Sequence, residues 1–373
     1  MAEDKLLAYL EAGREEMTAL LRRLVEMESP STDKAAVDRL SGFLEGELRA
    51  GGLRVSLLRS TTHGDHLRAE LGPRDGPQVL VLCHMDTVWE TGEVQRRPFS
   101  VEAGRARGPG VYDMKAGIVQ VLFALRAMHA LGRPPAGRVV VLFTSDEEVG
   151  SPTSREVILE EAKKSACALV MEPGSGPEGA LKTSRKGVGT FLVRVTGRPS
   201  HAGAAYQKGI SAVLELAYQV QRLHAMTDPA AGVTVNVGVV RGGTRSNVVA
   251  ARAEAEVDLR IARVSDADPM TQKILGLVPV LDGARVEVSG GVGRPPLERT
   301  PSVARLFHHA RSLAAGLGFE LSEVSSGGAS DGNLTASAGI PTLDGLGPAG
   351  DNSHSVDEYV CLESLPRRTA LLV

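Results

Sequence analysis

The stretch Val79-Leu80-Val81-Leu82-Cys83-His84-Met85-Asp86 is the one on which the fold turns. Its apolar run reads as a buried parallel strand, and it ends in an imidazole and a carboxylate. A second run, Val139 to Thr144, reads the same way and is followed by Asp146-Glu147-Glu148. In open α/β sheets ligands collect where such strands end. Asp113-Met114-Lys115, Glu172 and His354 supply further groups of the same kind. Five potential metal ligands are therefore expected at one rim, His84, Asp113, Glu172, His354 and one of the adjacent Glu147 and Glu148, with the other as a spare carboxylate beside them.

Outward from this stretch the pattern alternates. Leu6, Leu7, Leu10, Met17, Leu20, Leu21 and Leu24 recur at helical spacing, and a second helix over Asp33–Ala50 stops at Gly51-Gly52, so two helices are expected before the first strand. Short strands over Leu53–Leu58, Leu67–Leu71 and Val79–Cys83, a helix over Lys115–Ala130 and a strand over Val139–Thr144 then argue for an α/β layer fold. After Glu172 the order changes to strand Gly187–Thr196, helix Gly209–Met226, strands Val233–Val240 and Ala251–Ile261, helix Asp266–Leu277 and strand Arg285–Val288. That is a β-α-β-β-α-β unit, the split βαβ sandwich of ferredoxin-like domains. Ser289 to Pro296, rich in Gly and Pro, reads as a linker back to the first domain. The partition is thus 1–178, an inserted 179–296, and 297–373.

Length and composition narrow the function. At 373 residues the chain exceeds the usual ceiling for one core, which favours two domains. With 23% charged residues and a net charge of −3, no polyanion-binding surface is indicated, and nucleic acid is excluded as an expected partner. Three cysteines in no paired spacing argue against a disulfide framework. The opening Met1-Ala2-Glu3-Asp4-Lys5 lacks the basic-then-apolar order of a secretory signal, and no apolar stretch approaches the roughly 20 residues of a membrane helix, which together predict cytoplasmic residence and no membrane contact.

Taken singly, each candidate has an ordinary explanation: a polar residue after a strand for His84, a helix N-cap for Asp113, a solvated acidic loop for Asp146 to Glu148, a polar loop residue for His354. Their joint occurrence is more specific. Two imidazoles and three carboxylates suit zinc, or cobalt or manganese, and five ligands invite two ions about 3.5–4 Å apart sharing one carboxylate. Asp86, two residues from His84 on an extended strand end, is placed to hold that imidazole in one tautomer. Of the adjacent glutamates, one can bind metal while the other handles protons.

His84-Met85-Asp86-Thr87-Val88, Gly110-Val111-Tyr112-Asp113-Met114-Lys115-Ala116-Gly117, Thr144-Ser145-Asp146-Glu147-Glu148-Val149-Gly150-Ser151, Met171-Glu172-Pro173 and Asp351-Asn352-Ser353-His354 together resemble the successive signatures of the M20 metallopeptidase family, most like its glutamate carboxypeptidase (carboxypeptidase G) branch. Acetylornithine deacetylase, succinyl-diaminopimelate desuccinylase and aminoacylase are similar too. The resemblance implies a zinc-peptidase-like mixed sheet flanked by helices, with an inserted lid and dimerisation domain. It implies two Zn2+ per subunit: Asp113 bridging, His84 and Glu172 completing one site, Glu148 and His354 the other, Glu147 the general base, and a cis bond at Asp113-Met114.

In the inserted domain, Arg198-Pro199-Ser200-His201-Ala202-Gly203 is similar to the family's lid motif, whose histidine donates to the oxyanion in the neighbouring subunit's site. Asn247 and Arg260 match its substrate-carboxylate contacts, though a surface salt bridge is the bland account of Arg260. A homodimer through the inserted domain follows from the same resemblance, as does a peptide or N-acyl amino acid as substrate. The expected activity is cleavage of an amide bond next to a free carboxylate, releasing a C-terminal amino acid, with glutamate favoured. An N-acyl-amino-acid deacylase or desuccinylase is the nearest alternative, and a non-catalytic binding protein the distant one.

Overall fold

Burial on both faces is what the run around Val79 obtains. The computed structural model describes residues 2–373 and places strand Gln78–His84 inside a six-stranded sheet. The order is Arg54–Leu58, His66–Leu71, Arg138–Thr144, Gln78–His84, Ser165–Val170, Thr342–Leu343. Gln78–His84 pairs in parallel with Arg138–Thr144 on one side and Ser165–Val170 on the other, and Thr342–Leu343 extends the parallel set. The first two strands run antiparallel, so the sheet is mixed, as expected. Alternate side chains feed two cores: Val81, Cys83, Val141 and Phe143 join one, Leu80, Leu82, Val140 and Leu142 the other.

Register delivers the rim. His84 lies opposite Thr144 and Leu82 opposite Val170, so the chain leaves all three parallel strands at the same edge. Helix Ala116–Ala130 is apolar nearly all round and largely buried. It begins close against the strand ends, because at Gly117 any Cβ would overlap the Met171 carbonyl oxygen.

Two sequence expectations are corrected. Three helices, not two, precede the first strand: Ala2–Ala12, Arg14–Glu26 and Lys34–Ala50. The apolar stripe runs unbroken through Leu10, Met17 and Leu21 into one core, but Gly13 interrupts the helix itself. The glycine-rich segment expected as a linker is instead the second half of strand Arg285–Arg294, which stays paired with Gly187–Thr196 through Val292 and resumes at Arg294. Gly290 sits at φ +122° opposite Phe191, where a Cβ would collide with the Thr190 carbonyl oxygen. Its glycine serves close backbone approach within a strand rather than a break in it.

The chain divides into two compact units. One runs to Ser184 and includes Arg299–Ser325 and Ser330–Val373; the other is Arg185–Glu298 with Ser326–Ala329. The second has its own core, built by a four-stranded antiparallel sheet ordered Thr234–Gly242, Arg252–Ile261, Gly187–Thr196, Arg285–Arg294, with helices Ala212–His224 and Ala267–Leu275. Among the described residues no helix is long and apolar enough to cross a membrane.

Gly290→Ala should therefore destabilise the second unit by roughly 1–3 kcal/mol. Gly291→Ala, with open space around its Cβ, should cost far less. Denaturant melts of the two variants give the comparison, and equal losses would contradict the close-approach account.

Candidate metal centre

Three strand ends and two loops converge on Asp113. His84 is the last residue of its strand, and its Nδ1 donates to the Asp86 backbone oxygen at 2.9 Å. When the ring is neutral, that bond leaves the lone pair on Nε2. Nε2 lies 3.2 Å from Asp113 Oδ1 and 3.4 Å from Glu172 Oε1. The other Asp113 oxygen, Oδ2, lies 3.4 Å from His354 Nε2, which in turn is 3.2 Å from Glu148 Oε2. Two triads result, His84–Asp113–Glu172 and Asp113–Glu148–His354, each with its ligand atoms within 4.8 Å of one another. Asp113 belongs to both. The Asp113–Met114 peptide bond is cis, and His354 sits at φ 61°.

Asp86 works differently from the expectation. Its carboxylate is 3.6 Å from the His84 ring, and the close contact comes from its backbone oxygen instead. The carboxylate, fully buried, accepts from Ser31 Oγ at 2.7 Å and from the backbone N–H groups of Glu147 and Glu148, both at 3.2 Å. It thus ties the end of one parallel strand to the turn after the next, where Glu147 is buried beside Glu148. Asp146 is a turn cap, accepting from the amides and hydroxyls of Thr153 and Ser154.

Sequence reasoning missed Ser31 and Glu358. Glu358 accepts the backbone N–H groups of Gly110, Tyr112 and Asp113. Neither carried a signal: a serine ahead of a helix and a glutamate in Asp357-Glu358 both read as surface residues, and only burial distinguishes them.

The charges compensate one another. Burial would push the His84 imidazole down, but the surrounding carboxylates of Asp113, Asp86 and Glu172 outweigh it and hold it well above the ordinary value. Asp113 and Glu148 raise His354 to about 11 against a smaller effect of burial. Asp113, which burial alone would raise, is held well below the carboxylate range by His354 and His84. Glu148 is raised, chiefly by burial. A cation placed between these carboxylates would replace the protons that the imidazoles hold.

The donor set fits such a cation. Imidazole nitrogens and carboxylate oxygens are the ligand mixture of zinc sites, and Glu148 Oε1 is a buried oxygen with no hydrogen-bond partner. The remaining expected residues lie on the second unit. His201 and Asn247 are neighbours there, Ala202 N–H donating to Asn247 O at 3.0 Å. His201 Nδ1 accepts from the amides of Gly203 and Ala204, both at 3.1 Å, which puts the neutral ring's proton on Nε2. Arg260 is engaged by Asp258 through two bonds of 2.8 and 3.0 Å, the salt bridge that the sequence left open.

Residues 80–373 match the profile of peptidase family M20/M25/M40. The chain is 32% identical over 377 residues to carboxypeptidase G2 of Pseudomonas sp. (strain RS-16), covering 99% of this chain and 91% of that protein. It is 30% identical over 270 residues to the acetylornithine deacetylase of Edwardsiella ictaluri, covering 65% and 67% respectively. Among solved structures, the aminopeptidase PepT of Bacillus cereus ATCC 10987 superposes with a TM-score of 0.78 at 22% identity, over 96% of this chain and 97% of that one. The chain belongs to peptidase family M20/M25/M40. It is a hydrolase of peptide or amide C–N bonds.

Asp86→Ala would leave Ser31 and the amides of Glu147 and Glu148 without their acceptor, while the backbone oxygen that holds His84 remains. A loss of about 10- to 100-fold in divalent-metal affinity is expected, measured with zinc as the probe under chelator competition. Unaltered affinity would show that the strand-to-turn tie does not shape the site.

Proposed function

We propose that this enzyme is a two-zinc carboxypeptidase that cleaves an amide bond next to a free carboxylate and releases a C-terminal amino acid, with glutamate the first candidate. The observation that carries it is the division of Asp113: one carboxylate oxygen faces His84 and the other faces His354. A carboxylate so shared suits a bridge between two cations, and Co2+ or Mn2+ would satisfy the same ligands. His84 with Glu172, and Glu148 with His354, would complete the two sites around Asp113.

Zinc held there would acidify a bound water and polarise the scissile carbonyl. In this reading Asp86 keeps the His84 ring and the Glu147–Glu148 turn in place. The Glu147 carboxylate takes a proton from the attacking water and passes it to the leaving nitrogen. His201, its proton on Nε2, is a donor for the developing oxyanion. Asn247 and Arg260 receive the substrate carboxylate, for which the Arg260 fork would have to exchange Asp258 for substrate.

His201 serving a second subunit makes a homodimer part of the proposal. Support comes from the second unit's surface. Strand Thr234–Gly242 is at a sheet edge and exposes Val239 and Val240, and helix Ala212–His224 exposes Val213, Leu214 and Tyr218. An open edge beside exposed apolar side chains is a surface that proteins ordinarily cover.

The second reading is an N-acyl-amino-acid deacylase or desuccinylase, supported by the likeness to acetylornithine deacetylase. It would use the same proton-transfer groups and differ in what receives the acyl side. A panel on zinc-loaded protein separates the two: an acyl-glutamate, a dipeptide and an N-acetyl amino acid. Preference for the acyl-glutamate supports the carboxypeptidase reading, and preference for the N-acetyl amino acid transfers the assignment to the deacylase.

Glu147→Gln should lower kcat by roughly 100-fold or more while zinc content stays at two equivalents. Unchanged turnover would refute the role of Glu147, and one equivalent at saturation would refute the paired site.

A further inference from the structure

Asp113 lies in no regular element that could fix it. Its backbone, at φ −111° and ψ 96°, is non-helical within the turn Val111–Lys115, and His354 sits in a loop at φ 61°. Two residues on separate irregular segments must nevertheless keep their side chains at 3.4 Å. Something outside them has to set that separation.

The buried carboxylate of Glu358 touches both segments. Oε1 accepts from the amides of Tyr112 at 2.9 Å and Asp113 at 3.0 Å, and Oε2 from the Gly110 amide at 3.1 Å and the Trp89 indole at 3.2 Å. Glu358 is only 1% exposed. Its own amide donates to Ser355 O at 3.0 Å, so it is bonded directly into the loop that carries His354. That loop is braced from outside: Arg97 donates to Val356 O at 3.1 Å and Arg107 to Asp357 O at 3.1 Å. The Arg97 guanidinium also lies 4.0 Å over the Trp89 ring. A carboxylate is suited to the task, since its two oxygens can accept all four N–H groups at once.

We propose that Glu358 is a positioning residue that sets the spacing of Asp113 and His354, so that the Asp113–Glu148–His354 triad assembles around its four-donor nest. This deepens the two-metal reading and rests on it. Without the carboxylate, three backbone N–H groups and an indole lose their acceptor in a buried place, and the turn and the loop lose their common anchor.

The test titrates zinc alone into the metal-stripped full chain under chelator competition. Stoichiometry is followed together with the emission of Trp89, the single tryptophan of the sequence. In the wild type two equivalents are expected to bind, and the one held by the Asp113–Glu148–His354 triad is expected to change the emission, because Trp89 bonds to Glu358. Glu358→Ala is expected to weaken that equivalent by about 10- to 100-fold and to remove the emission change. Glu358→Gln, which keeps the shape and one acceptor oxygen, should recover part of the affinity. Trp89→Phe, followed by competition alone, should cost less than Glu358→Ala. Wild-type affinity and emission response in Glu358→Ala overturn the proposal. If that variant does not fold, wild-type affinity in both Glu358→Gln and Trp89→Phe overturns it equally. Asp113→Ala and His354→Ala test the metal reading separately. Undiminished zinc binding in both would end that reading, whereas their loss of binding beside an unaffected Glu358→Ala would remove only the role given to Glu358.

Discussion

Holding the largely buried Asp113 between two imidazoles is the constraint that organises the first unit. A carboxylate out of water is costly unless every lone pair finds a partner, and here each oxygen faces its own histidine. Those histidines are held in turn by Glu172 and Glu148, so five ionisable groups compensate one another at the edge of an apolar sheet. Removing either imidazole would leave three carboxylates facing a single histidine.

The sheet accommodates this because its parallel strands all release the chain at one edge. His84, the Glu147–Glu148 turn and Glu172 are consequences of register, since Gln78–His84 is in step with both parallel neighbours. What register cannot do is place Asp113 and His354, which come from irregular segments. Two buried carboxylates bridge that difference: Asp86 bonds the turn after one strand to the end of another, and Glu358 bonds the Asp113 turn to the His354 loop. Neither is a member of the two triads.

The second unit follows a different economy. Its sheet is antiparallel and alternates buried with exposed positions along Gly187–Thr196 and Arg252–Ile261, which gives it a separate core. Its polar groups are held locally. His201 is fixed by the amides that follow it and Arg260 by Asp258, two residues away on the same strand. Preorganisation at these positions therefore comes from short-range bonds, in contrast to the long-range ties around Asp113.

Apolar runs and their period were enough to give four of the six strands of the mixed sheet, the α/β order and the β-α-β-β-α-β unit from sequence, because side-chain periodicity reports burial directly, but Ser165–Val170 and Thr342–Leu343 were not read as strands. The apolar runs also marked the polar residues at or just after strand ends, His84 and the Glu147–Glu148 pair, whereas Asp113, Glu172 and His354 were legible only through the motifs around them. Glycine misled in both directions: Gly13 divides a helix that the apolar stripe made continuous, and Gly290 lies within a strand where glycine was read as punctuation. A local pattern cannot tell a glycine that breaks structure from one that admits a neighbouring backbone. Ser31, Glu358 and the backbone contact from Asp86 were invisible for a related reason. A hydrogen-bonding group's role depends on which partners the folded chain brings to it, and that is a property of tertiary placement, not of the residue or its neighbours in sequence.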